Sequence, residues 1–133
     1  MPKNGIREFR IFIVDDSPIV VNRLIVMLSD IHEVSVVGYA SNISSARNAI
    51  LEIKPDVVLV DIHLKQDAPH ANGIDLLITL RKTYPNMIII MLSFNATPQY
   101  KSKCIALGAN YFFDKSKDFD KIYEILKNML ENS

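Results

Sequence analysis

Five polar positions stand directly after apolar runs. Asp15 and Asp16 follow FRIFIV at 9–14, Asp61 follows VVLV at 57–60, and Ser93 follows MIIIML at 87–92. Lys115 follows ANYFF at 109–113 with only Asp114 between. Taken singly these residues say little: Asp15-Asp16-Ser17 reads as a turn and helix cap, serines end many strands, and lysines are mostly solvated. Together they define a chemistry. Three carboxylates within a few ångströms repel, each close pair by about 4 kcal/mol at an effective dielectric of 20. A fold holds such a group together only around a compensating cation. Carboxylate oxygens, with few protein ligands and several waters, suit Mg²⁺. A metal flanked by an ammonium and a hydroxyl receives a phosphoryl group, and one of the carboxylates can then act as nucleophile and form an acyl phosphate.

That chemistry requires the runs to be neighbouring strands with their carboxyl ends aligned. The runs at 9–14, 34–39, 57–60, 87–92 and 109–113 read as strands, and the third and fourth are apolar throughout, as strands covered on both faces are. Helix-length segments separate them. Ser17-Pro18 opens the first with a capping hydroxyl and Pro at the first helical position, and Ile19, Val20, Leu24, Met27 and Leu28 keep helical spacing. The second spans 41–53 and stops before Pro55; the third spans 73–83 and stops before Pro85. The fourth, 97–107, ends at Gly108, and the fifth, 118–130, repeats apolar residues on one face. The order (βα)5 predicts an α/β protein: a three-layer, doubly wound parallel sheet with right-handed crossovers. The second strand delivers only Ala40 and Ser41 to the shared edge, which suits an outer place in the sheet. The long connection from 62 to 72 reads as a solvated loop.

Composition narrows the classes further. The 133 residues are 49% apolar and 23% charged, values of an ordinary globular domain rather than a disordered or fibrous chain. Fifteen basic and fifteen acidic residues leave no net charge to drive binding of nucleic acid or acidic membranes. No apolar run approaches the roughly 20 residues of a membrane span, and the first ten residues lack the apolar stretch of a signal peptide. The single cysteine, Cys104, excludes a disulfide framework and a Cys-rich zinc site, and reads as a buried apolar residue. His63 and His70 have no zinc spacing and read as loop histidines; Lys101 and Lys103 read as a solvated helix face. A single cytoplasmic domain at 9–133, after a short extension at 1–8, is expected.

At this point the motifs match a family. VDDS at 14–17, LVDIHL at 59–64, MLSF at 91–94 and GANYFFDKS at 108–116 resemble the receiver domain of two-component response regulators, of the chemotaxis-regulator type, over residues 9–130. The resemblance implies a flavodoxin-like fold with strand order 2-1-3-4-5. It implies Asp61 as the phosphoacceptor, Asp16 as a direct Mg²⁺ ligand, Asp15 acting mainly through water, and Asp61 and the backbone carbonyl of His63 completing the protein's ligands. Ser93 matches the hydroxyl that moves toward the phosphoryl group, Lys115 the lysine that pairs with it, and Phe112 the aromatic that turns inward as the α4–β5–α5 face changes shape. The implied partners are a sensor histidine kinase or histidine phosphotransfer protein upstream and a protein target downstream, with a monomer or a phosphorylation-dependent dimer. Neither direct nucleic-acid binding by this domain, nor membrane attachment, nor turnover of a small substrate is implied.

Several residues depart from the family pattern. The stretch from Asp61 to Gly73 is about four residues longer than usual and lacks Met-Pro. Ser116 replaces the proline that makes a cis bond after the lysine; a cis Lys-Ser bond costs about 3 kcal/mol, so a trans bond and a shifted start of the fifth helix are expected. Phe94 stands where a small residue is usual, and its ring is expected to narrow access to Asp61. His63 and Asn95 occupy the two positions that tune attacking water in the family. Other readings are the receiver fragment of a larger transcriptional regulator, a metal-dependent Asp-nucleophile phosphatase, a flavin binder on the same topology, and a receiver used only for docking. The phosphatase wants aspartates at i and i+2, whereas Asp15 and Asp16 are adjacent. Flavin wants a phosphate-cradling loop where these acids stand, and a docking-only domain has no need of the full acidic, hydroxyl and ammonium set.

Overall fold

A computed structural model describes residues 8–64 and 72–131. Five strands, β1 (Phe9–Val14), β2 (Val34–Ala40), β3 (Val57–Asp61), β4 (Ile88–Ser93) and β5 (Tyr111–Asp114), alternate with five helices, α1 (Pro18–Leu28), α2 (Ile43–Ile53), α3 (Gly73–Thr83), α4 (Pro98–Ala106) and α5 (Phe119–Glu131). All strand pairs are parallel, and the order is β2-β1-β3-β4-β5, as the alternation of apolar runs and the resemblance predict. The strand that carries no charged group to the carboxyl edge, β2, is indeed an outer one.

Strand alternation sorts the core into two layers. Phe12, Val14, Val58, Val60, Ile89 and Met91 face Ala46, Ile50, Ile74, Leu77 and Cys104 of α2, α3 and α4. Ile11, Ile13, Val57, Leu59, Ile90 and Leu92 face Val20, Leu24, Leu28, Ile122 and Leu126 of α1 and α5. The central strands β3 and β4 are apolar up to their last residues, Asp61 and Ser93, because both of their faces are covered.

Capping sets where the helices begin. The Val20 amide donates to Ser17 Oγ at 3.3 Å, with Pro18 in the first turn of α1. The second helix starts two residues later than the apolar pattern predicts, because Asn42 rather than Ser41 caps it and takes the Ser45 amide at 2.9 Å. Asn72 caps α3, and the Asp75 carboxylate takes the Asn72 amide in return. The last strand starts at Tyr111 instead of 109. Ala109 and Asn110 are used to leave α4: Gly108 turns the chain at φ 108°, and the Ala109 amide donates back to the Cys104 carbonyl. Among the described residues no peptide bond is cis, so the Lys115–Ser116 bond is trans. Of the expected extension at 1–8 only Glu8 is described, and residues 65–71, His70 among them, lie outside the described part of the 62–72 connection.

Candidate functional site

Every buried polar or charged residue among those described lies at one place: Asp15, Asp61, Ser93 and Lys115, at the carboxyl ends of β1, β3, β4 and β5. The sheet aligns them through its own backbone. The Asp15 amide donates to the Ala40 carbonyl, and the Lys115 amide to the Ser93 carbonyl, each at 3.0 Å. Asp61 is paired with Leu92 across β3 and β4.

Each carboxylate divides its oxygens between local structure and the shared centre. Asp15 Oδ1 accepts the Ser17 amide at 2.9 Å, which turns the chain into α1, and Asp15 Oδ2 lies 2.5 Å from Lys115 Nζ. Asp61 Oδ1 accepts the His63 amide at 3.2 Å, and Asp61 Oδ2 lies 3.1 Å from the same Nζ. One ammonium therefore serves two buried carboxylates. Asp16 completes the group: Asp15, Asp16 and Asp61 each offer an oxygen, all within 4.8 Å of one another. Asp15 Oδ2, although ion-paired, has no hydrogen-bond donor in acceptable geometry. Three carboxylates gathered around one ammonium carry more negative charge than it offsets, which fits a site built for one more cation. The donor set is all oxygen, as a hard divalent ion requires.

The acceptor candidate shows the strain electrostatically. Burial pushes the Asp61 carboxyl from 3.8 up to about 6; Lys115 pulls it down and Asp15 pushes it up, in that order of size. Ser93 Oγ accepts the Asn95 amide at 2.9 Å, so its hydroxyl proton is left to donate elsewhere. Phe94 is 62% exposed, and its ring centroid lies 5.0 Å from Lys115 Nζ. Phe112 is buried and belongs to the core layer under α2, α3 and α4 rather than to the polar cluster.

Three features escape the sequence pattern. Asp114 Oδ1 accepts both the Ser116 amide and the Ser116 hydroxyl, which holds its carboxyl below the usual range. Proline has neither donor, so this turn into α5 depends on serine at 116. The spacing Asp-x-Ser was its only local signal. The His63 ring meets Tyr100 of α4 edge-on, with centroids 5.5 Å apart, and links the start of the 62–72 connection to that helix. Gly73 presses on the end of β3: its amide donates to the Ile62 carbonyl at 2.8 Å, and a Cβ there would lie 2.1 Å from the Asp61 carbonyl oxygen.

Residues 11–127 match the family model for the response regulator receiver domain. The chain belongs to the response regulator receiver family. The receiver is 36% identical over 126 residues to a protein-glutamate methylesterase/protein-glutamine glutaminase of Carboxydothermus hydrogenoformans, covering 93% of this chain and 36% of that protein. It is 31% identical over 110 residues to the DNA-binding transcriptional activator EvgA of Escherichia coli, covering 83% of this chain and 52% of EvgA. The chain thus spans about a third to a half of the length of these curated relatives. Among solved structures, the response regulator domain of Thermotoga maritima CheB superposes with a TM-score of 0.77 at 27% identity, over 95% of this chain and 96% of that one. The chain is therefore a receiver domain of two-component response regulators, of a kind found joined to effector domains of unlike function. No helix among the described residues is long and apolar enough to cross a membrane.

Proposed function

We propose that the receiver takes a phosphoryl group on Asp61 from a phosphohistidine of a sensor histidine kinase or phosphotransfer protein, and signals through the α4–β5–α5 face. The observation that carries this reading is the single ammonium of Lys115 shared by two buried carboxylates, with a third carboxylate in reach. Asp15, Asp16, Asp61 and the backbone carbonyl of His63 would hold Mg²⁺, which when bound offsets the crowded carboxylates and the charge of an incoming phosphoryl group. An Asp61 oxygen attacks phosphorus; the bond from phosphorus to the donor imidazole breaks, and the imidazole keeps the electron pair and takes a proton. Lys115 then turns from Asp61 to a phosphoryl oxygen, and the Ser93 hydroxyl donates to another. Movement of Ser93, two residues along β4 from Met91, whose strand partner is Phe112, is the two-state element that the phosphoryl group biases.

Intact-mass analysis tests this. With Mg²⁺ and excess phosphoramidate the protein gains one phosphoryl group; with EDTA, or in Asp61→Asn, it gains none. Labelling that persists in Asp61→Asn places the chemistry elsewhere and overturns the assignment.

A further inference from the structure

We propose that Phe94 is a specificity-determining residue of this site: its ring lies over the Lys115 ammonium and limits entry of small phosphodonors and of water. The inference rests on the phosphoacceptor reading above. Lys115 is only 3% exposed, with carboxylates of Asp15 and Asp61 against its ammonium. Phe94 adds a third neighbour, its ring centroid 5.0 Å from Nζ, within the range of cation–π attraction. Ser93, its neighbour in sequence, is fully buried, whereas Phe94 is 62% exposed. A residue so exposed, next to buried Ser93 in the chain and with its ring against the buried ammonium, lies on the solvent side of the groups that must meet a phosphoryl oxygen.

Two consequences follow from that position. An incoming phosphoryl oxygen has to reach the ammonium that the ring already faces. A small donor brings no binding energy from elsewhere to displace the ring, whereas a protein donor spends interface energy on it. The ring also screens the acyl phosphate once formed. In its hydrolysis a water oxygen attacks phosphorus, the bond from phosphorus to the Asp61 oxygen breaks, the electron pair returns to the carboxylate, and inorganic phosphate leaves with the water's protons. Phe94 restricts the approach of that water as it restricts the donor.

The test compares wild type, Phe94→Leu and Phe94→Ala, each with Mg²⁺. Labelling by phosphoramidate and, after donor removal, loss of the label are followed by intact mass. Phe94→Ala is expected to gain and to lose the label about ten-fold faster than wild type, the scale of one lost cation–π contact plus opened access. Phe94→Leu, which keeps bulk without the aromatic face, falls between. A damaged fold slows labelling, so acceleration in both directions is a readout that a merely structural role does not produce. Labelling of Phe94→Ala at or below the wild-type rate, with an unchanged thermal melt, overturns the gate and leaves the acceptor assignment standing. Absence of label in all three proteins overturns the acceptor assignment, and the gate with it.

Discussion

At the amino ends of β4 and β5, Arg81 of α3 donates from every guanidinium nitrogen. Nε reaches the Gly108 carbonyl at 2.9 Å, Nη1 the carbonyls of Tyr84, Pro85 and Met87 at 3.1, 3.0 and 2.7 Å, and Nη2 the Asn110 Oδ1 at 2.7 Å. Asn110 Oδ1 also takes the Ile89 amide, so the cation and both strand starts form one satisfied network. At the carboxyl ends of the same sheet, Lys115 is divided between Asp15 and Asp61, and Asp16 brings a third carboxylate within 4.8 Å. Both edges bring a cation to backbone ends. The amino edge gives it neutral carbonyls that lose nothing by being fixed. The carboxyl edge gives it carboxylates that repel one another, a repulsion that a further cation would relieve. One edge satisfies its cation, and the other leaves its carboxylates in mutual repulsion.

The contrast can be broken by substitution. Lys115→Met removes the cation from two buried carboxylates and is expected to cost about 3–5 kcal/mol of stability in EDTA. If the carboxyl edge is a cation site, Mg²⁺ restores most of the loss; urea melts with and without the ion read this directly, and a loss indifferent to Mg²⁺ contradicts the comparison. Arg81→Ala is expected to cost about 2–3 kcal/mol through unpaired carbonyls and a freed α4–β5 turn. Mg²⁺ does not restore that loss, and the midpoint of metal binding stays put. Asp61→Asn acts in the opposite sense. The folded state holds the Asp61 proton more tightly than the unfolded chain, so the wild type loses stability as pH rises from about 4 to about 6. In EDTA the variant is therefore expected to exceed wild type by about 3 kcal/mol above pH 6, with the difference vanishing below pH 4. A constant difference across that range means that Asp61 does not carry the strain.

The carboxyl edge was legible in the sequence because its parts are local: each functional residue directly follows, or nearly follows, an apolar run, and parallel strands align such positions. The amino edge was not. Arg81 contacts Gly108 and Asn110 from 27 and 29 residues away, and no periodicity in α3 marks it. The same limit applies to the start of β5, where Ala109 and Asn110 continue an apolar run in sequence but serve hydrogen bonds across the fold. The start of α2 at Ile43 rather than 41 follows from the Asn42 cap, which the apolar spacing of the helix does not mark. Phe94 was legible as a departure from the family, but its seat above Lys115 depends on where two strands end side by side.

The tie between Gly73 and the backbone of Ile62 and Asp61 has a bearing on how such a domain diversifies. The stretch between them leaves and returns at adjoining points, so its ends are already together whatever its contents. Doubling the length of a closed loop costs only about 0.6 kcal/mol. Insertions there can rewrite what a visiting protein encounters while the aspartate keeps its aim, whereas a methyl group added at Gly73 would disturb that aim with no change in length at all.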